Sequence, residues 1–383
     1  VAINGEEKVP FTTVDSVEDH FVLRLDGYDS EIVARLDAAT GELRGEWSKT
    51  IPEGRSRLPF VARRGQSFRF EPPAGSEDAG GHRPQAAAAI GRTRTPAPED
   101  PDPLSGAWDA VFTDEDGTEP ARAEFSLDGT HLTGTFLTPT GDYRFLDGDF
   151  IDARLRLSAF DGGHVFLFHA RLAEDGSLAG DFWSRDRYHA TWTARRAAAD
   201  DPAALADPAA AVNLVDGART LRFDFPDLDG HRVASTDPRF AGKVVLVVLF
   251  GSWCPNCNDE APALARWDRI YRDRGLAIVG LAYEFTGDVE RDRTFVRKYA
   301  RRHGIRFPLL LAGVSDKEAA GKTLPDLSRV AAYPTTIFIG RDGTVRHIHS
   351  GFAGPATGEH HTRLLARLQG WIEELLAERP GLS

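Results

Sequence analysis

Lys243-Val244-Val245-Leu246-Val247-Val248-Leu249-Phe250-Gly251-Ser252-Trp253-Cys254-Pro255-Asn256-Cys257 carries the reading of this chain. Its first half is an unbroken apolar run of strand length, and a run without polar alternation suits a central strand covered on both faces. Its second half sets two cysteines, spaced C-x-x-C, where the run gives way to a helical pattern. Pro255 falls in the first helical turn, where its missing N–H costs nothing and its fixed φ is already helical. A cysteine at a helix N-terminus faces unpaired backbone N–H groups and the positive end of the helix dipole, both of which favour a thiolate, so Cys254 is expected to be the attacking sulfur. Cys257 lies on the same helix face one turn deeper, placed to resolve a mixed disulfide by attacking Cys254.

The chain has 383 residues and two cysteines. A disulfide framework is therefore not expected, and without a second C-x-x-C or an H-x-x-x-H to complete four ligands neither is a zinc site. Thiol exchange requires no cofactor, and none is expected. His347 and His349 share a strand face and His360-His361 precede the last helix; solvated strand and cap histidines are the expected reading of both pairs. A formal charge of -12 argues against nucleic acid as partner, since neutralising phosphates needs an excess of Lys and Arg. No apolar run approaches the 18 or so residues that cross a bilayer. The chain begins at Val1 and contains no methionine, as it would if a secretory leader had been removed.

Outward from the motif, strand and helix patterns alternate. Leu221–Phe225 with the Asp229-Gly230 turn reads as an opening hairpin. A helix is expected from Pro255 to about Arg274, a strand over Ala277–Tyr283, a helix over Asp288–His303 closed by Gly304, and strands over Phe307–Leu311, Thr335–Gly340 and Val345–Ser350. A last helix gathers Leu364, Leu368, Trp371, Ile372 and Leu375 on one face. This order predicts an α/β domain, a mixed sheet flanked by helices.

The first 200 residues have a different grammar. Short alternating runs are punctuated by Asp-Gly steps at 26, 116, 128, 147, 161 and 175, a hairpin signal. A pattern of turn glycine, inward leucine, glycine and aromatic recurs in Gly41–Trp47, Gly129–Phe136 and Gly176–Phe182, and glycine within a strand permits the close backbone approach of a closing barrel. The expectation is a small antiparallel, lipocalin-like barrel over residues 1–198, with two β-sandwich lobes as the alternative. Tyr143, Phe145, Phe150, Phe160, Phe166, Phe168 and Trp183 are expected in its core. Residues 72–103, rich in Pro, Gly, Ala, Asp and Glu, read as a long loop, and 199–212 as a linker to a domain spanning 213–383.

On these residues the C-terminal domain, over about 213–378, resembles the thioredoxin superfamily, and within it the extracytoplasmic thiol-disulfide oxidoreductases related to TlpA and ResA. Trp253-Cys254-Pro255-Asn256-Cys257 is one matching element and Ala332-Tyr333-Pro334-Thr335-Thr336 is the other. The resemblance implies a thioredoxin fold with a helix–strand insertion between 288 and 311. It implies a redox-active disulfide between Cys254 and Cys257, a cis peptide before Pro334, and an active-site environment of Trp253, Pro255, Asn256, Tyr333, Pro334 and Thr335. It also implies protein dithiols and disulfides as substrates, reduction as the usual direction, a membrane-bound electron donor, and a periplasmic or cell-envelope location. Val248 stands where relatives carry a buried Asp or Asn six residues before the first cysteine, so that proton carrier has no counterpart. Glu284, near the register of an active-site Glu of ResA-like proteins, is a candidate acid–base; the alternative is a solvated strand-end carboxylate.

Two other functions compete. In one, the barrel binds a ligand or envelope partner and the redox domain is accessory. In the other the chain is a thiol peroxidase, which would call for a threonine three residues before the attacking cysteine; Gly251 stands there.

Overall fold

The computed structural model describes residues 2–4, 7–25, 27–64, 70, 102–198 and 212–378. The loop expected at 72–103, save its last two residues, and the linker expected at 199–212, save Val212, lie outside the described residues.

Eight antiparallel strands from Gly106–Asp114 to Tyr188–Arg196 close into a barrel, the last pairing with the first, which leaves no strand edge open. The barrel is built from residues 106–196 alone. The strands from Thr13–Val17 to Gly54–Arg63 form a separate five-stranded antiparallel sheet.

The recurring glycine pattern has one physical cause in both sheets. A Cβ on Gly45, Gly134 or Gly180 would sit 2.0, 2.4 or 1.9 Å from a carbonyl oxygen of the neighbouring strand, so only glycine lets the backbones approach that closely. The aromatic that follows each, Trp47, Phe136 or Phe182, turns inward and is at most 3% exposed. Asp147-Gly148 is not a turn as expected. It lies inside the strand Leu146–Ile151, where a Cβ on Gly148 would meet the Arg156 oxygen at 1.9 Å.

Rings fill the barrel: Phe136 stacks on Phe168 at 4.8 Å and Phe168 on Phe182 at 4.4 Å, with Trp108 and Trp192 fully buried beside them. Of the residues expected inside, Phe166 and Phe168 are core and Tyr143 and Phe150 pack against it. Phe160 and Trp183 face outward, because strand parity puts their neighbours Ala159 and Phe182 inside. Phe160 instead meets Trp47 of the other sheet edge-on at 6.0 Å, joining the two β units.

The C-terminal domain is a five-stranded mixed sheet, in spatial order Leu309–Val314, Leu276–Glu284, Val244–Phe250, Thr335–Ile339 and Val345–Ser350. All seven residues of the central strand are buried, so both of its faces are covered. It runs parallel to Leu276–Glu284 and antiparallel to Thr335–Ile339. Helix α1 spans Pro255–Tyr271, continued by a 3-10 turn to Arg274. Helix α2, Val289–His303, is capped by Asp288 and closed by Gly304 with φ 64°. A short α3, Lys317–Thr323, was not expected from sequence, and α4 spans Glu359–Ala377. Among the described residues no helix is long and apolar enough to cross a membrane.

Candidate active site

Strand pairing brings the two motifs together. Leu249 pairs with Thr335 and Val248 with Thr336, so the end of the central strand that leads to Cys254 lies beside the start of the strand that follows Pro334. The Tyr333–Pro334 peptide bond is cis. Cys254 is the N-cap of α1 with extended φ and ψ of -87° and 122°, and its sulfur accepts the backbone N–H of Cys257 at 3.4 Å. The Cys254 thiol in turn donates to the Tyr333 carbonyl at 3.4 Å. Both cysteines are unpaired thiols and buried, Cys254 at 5% exposure and Cys257 at 1%. Burial, then the hydrogen bond and charge of Cys254, push the Cys257 thiol well above its ordinary pKa.

The neighbours expected from sequence converge here. Trp253 donates its indole N–H to the Tyr283 carbonyl at 2.8 Å, stacks on Phe285 at 4.5 Å and meets Tyr333 edge-on. Pro255 opens α1, and Asn256 donates to the Phe352 carbonyl at 3.0 Å. Thr335 donates to the Ala332 carbonyl at 2.8 Å and shares a hydrogen bond with Ser350.

Glu284 is buried at the end of its strand, 4% exposed, rather than solvated. One oxygen accepts the Ser252 N–H and the other the Ser252 hydroxyl, while burial raises its pKa to about 8. A second buried carboxyl, Glu260, escaped the sequence reading. It is 1% exposed, accepts the Thr336 hydroxyl at 2.8 Å through one oxygen, leaves the other without a hydrogen bond among the described residues, and is raised by burial to about 7. Its charge acts on Cys257. The signal was its spacing, three residues beyond Cys257 and so on the same helix face. Tyr299 of α2 completes the floor, donating to the Cys257 carbonyl at 2.8 Å.

The β units also reach the site, which nothing in the sequence indicated. The connection between the barrel strands His131–Leu137 and Leu146–Ile151 lies on the start of α1 and on the loop that follows Val345–Ser350: Arg144 binds Asp259 of α1 at 2.7 Å, and Asp142 accepts the N–H of Gly354 in that loop at 2.6 Å. Arg144 has φ 61°, a conformation that a non-glycine residue holds only where its surroundings fix it. Burial opposes its charge, but Asp259, Tyr28, Asp161 and Glu7 more than offset that and raise its pKa. From the first sheet, the fully buried Lys49 donates to the Gly163 carbonyl at 2.9 Å and stands 5.6 Å over the Phe285 ring.

The histidine pairs are otherwise engaged. His347 stacks on Trp371, His360 contacts Glu124 of the barrel and His361 the Ala353 carbonyl. No cluster able to hold a metal ion occurs among the described residues.

A mixed sheet with a helix starting at a C-x-x-C, beside a cis-proline, defines a thioredoxin-fold protein of thiol-disulfide exchange. A profile of the AhpC/TSA family matches residues 217–348. The thioredoxin-like protein YneN of Bacillus subtilis is 30% identical over 140 residues, 37% of this chain and 74% of that one. The thiol-disulfide oxidoreductase ResA of Geobacillus kaustophilus is 28% identical over 145 residues, 38% and 75% of the two chains. A crystal structure described as a putative thiol:disulfide interchange protein DsbE from Chlorobium tepidum is 21% identical with a TM-score of 0.33, covering 43% of this chain and 100% of that one. Through its C-terminal domain the chain belongs to the thioredoxin-like proteins and is homologous to the ResA/TlpA-type thiol-disulfide oxidoreductases.

Proposed function

We propose that the protein is a reductase of protein disulfides, with Cys254 as nucleophile and Cys257 as resolving thiol. The Cys254 thiolate attacks a substrate disulfide, forming a mixed disulfide and releasing one substrate thiolate. Cys257 then loses its proton to the ionised form of a buried carboxyl, that of Glu260, half-ionised near pH 7, or the minor ionised fraction of Glu284, and attacks the Cys254 sulfur. The internal disulfide closes, the second substrate thiolate leaves, and two electrons have passed from the dithiol to the substrate. A dithiol donor, in this reading a membrane protein on the extracytoplasmic side, resets the pair. Trp253, Asn256, Tyr333, Pro334 and Thr335 hold the cysteine pair and its entrance in place.

The observation that carries the reading is the position of the Cys254 sulfur, at the helix N-terminus on the Cys257 N–H, with the charge of the buried Glu260 carboxyl acting on a Cys257 thiol that burial makes hard to deprotonate. The peroxidase alternative is disfavoured at Gly251: a Cβ there would lie 2.2 Å from the Trp253 indole nitrogen, which leaves no room for a threonine. The test is the reduction potential of the Cys254–Cys257 pair together with turnover of insulin disulfides. A potential near about -270 mV, the thioredoxin range, supports a reductase, and one near about -120 mV an oxidant. Rapid consumption of hydrogen peroxide would favour the peroxidase instead.

A further inference from the structure

Cys254 lines a cleft of about 280 Å³ whose walls come from both halves of the chain. The redox domain supplies one wall and the barrel rim, including Tyr143 and the 138–144 connection, supplies the other. The rim sits in direct contact with the motif. A Cβ on Gly141 would fall 1.8 Å from the Asn256 side-chain nitrogen, and one on Gly351 would fall 2.7 Å from the Thr140 carbonyl oxygen. An ordinary protein–protein contact covers about 800 Å² on each partner. No such face can be laid over Cys254 beneath this rim, so the sulfur to be attacked must arrive on something narrow.

The charges of the cleft say more. Asp142, Arg144 and His164 belong to its lining, but each is engaged internally, with the Gly354 N–H, Asp259 and Asp161 respectively. Glu119, on the barrel strand Gly117–Asp128, and Lys317, the first residue of α3, also line it. Among the described residues neither side chain makes a hydrogen bond or a contact ion pair, although the charge of Lys317 acts on Glu119 across the cleft. Tyr333, 7% exposed and part of the same lining, buries a hydroxyl that has no hydrogen-bond partner among the described residues.

We propose that the barrel rim is half of the substrate site, admitting a disulfide carried on an extended peptide whose residues flanking the cysteine are read by Glu119 and by Lys317. The inference rests on the thiol-exchange reading above. It favours a peptide over a free small thiol because charges supplied by two different walls can address residues on both sides of a cysteine. The chemistry is unchanged: the peptide's S–S bond breaks as the bond to Cys254 forms, its partner leaves as a thiolate with the electron pair, and Cys257 then displaces the peptide thiolate.

The test uses the reduced full chain and two unstructured peptides, each with one cysteine in mixed disulfide with glutathione, flanked by lysines in one and by glutamates in the other. Rates at low salt give a lysine-to-glutamate ratio for each protein. Glu119→Lys should lower that ratio by about tenfold relative to the unsubstituted chain, and Lys317→Glu should raise it by a similar factor. Ratios within twofold of each other in all three proteins would overturn the proposal, as would reduction of a folded-protein disulfide as fast as the peptides. If Cys254 exchanged with no disulfide at all, cystine included, the thiol-exchange reading itself would fall, a result distinct from the other two.

Discussion

Glu284 and Ser252 are joined by two hydrogen bonds of 2.7 Å, one carboxyl oxygen taking the backbone N–H and the other the hydroxyl. The pair ties the end of one strand to the loop that presents Cys254. Burial holds the carboxyl neutral up to about pH 8, against an ordinary value of 4.5. The folded state thus keeps a proton that the unfolded chain sheds, so the contribution to stability is full below about pH 4.5 and is lost as pH rises to about 8. The loss is on the order of 5 kcal/mol. Glu284→Gln should flatten the fall in stability between pH 5 and 8, as read by urea unfolding at several pH values. It should also shift the pH profile of disulfide exchange. Equal slopes and profiles in both proteins would remove Glu284 from the proton path.

The cysteines should separate cleanly by role. Cys257→Ser leaves the attacking sulfur but not the resolving one, so it should accumulate a mixed disulfide visible by intact mass. Cys254→Ser should form none, and its turnover should drop by at least about a hundredfold. A trapped adduct on Cys257 in the Cys254→Ser protein would reverse the assignment.

Gly180→Ala tests the barrel. The added methyl would lie 1.9 Å from the His169 carbonyl oxygen of the paired strand, backbone that moves only if the closure opens. Overpacking of this kind costs about 1–3 kcal/mol. Denaturant unfolding should register that loss, and an unchanged midpoint would mean that the two strands can separate freely.

How much of this was legible depended on whether a signal is local. The central strand, the start of α1 and the capped ends of α2 each lie within a few residues of the chemistry that dictates them, and the sequence reading found them. The glycine–aromatic pattern likewise announced close strand contact, though Trp183 was expected inside, where strand parity places its neighbour Phe182 instead. Glu260 was readable by its spacing from Cys257, although a charged residue on a helix is usually solvated and the residue carries no other local signal. Helix α3 has seven mostly polar residues and too few turns to show a period. The barrel's contact with α1 had no local signal at all, for Arg144 and Asp259 stand 115 residues apart.

That last contact makes the final prediction. Arg144 is the shared cation for Glu7, Asp161 and Asp259, all of them at most 14% exposed at the side chain. Removing one partner of a buried ion pair costs about 3–5 kcal/mol, because the charges left behind are neither solvated nor matched. In Arg144→Met the three carboxyls would repel one another and bind protons more readily than before. The destabilisation should therefore be largest near neutral pH and shrink as pH falls towards 5, where protonation relieves it. Hydrogen exchange should quicken together in residues 138–144 and at the start of α1, since the two segments are held by the same cation. A protein whose stability loss was independent of pH, or whose exchange rose on the barrel side alone, would show that Arg144 does not couple the rim to the redox helix.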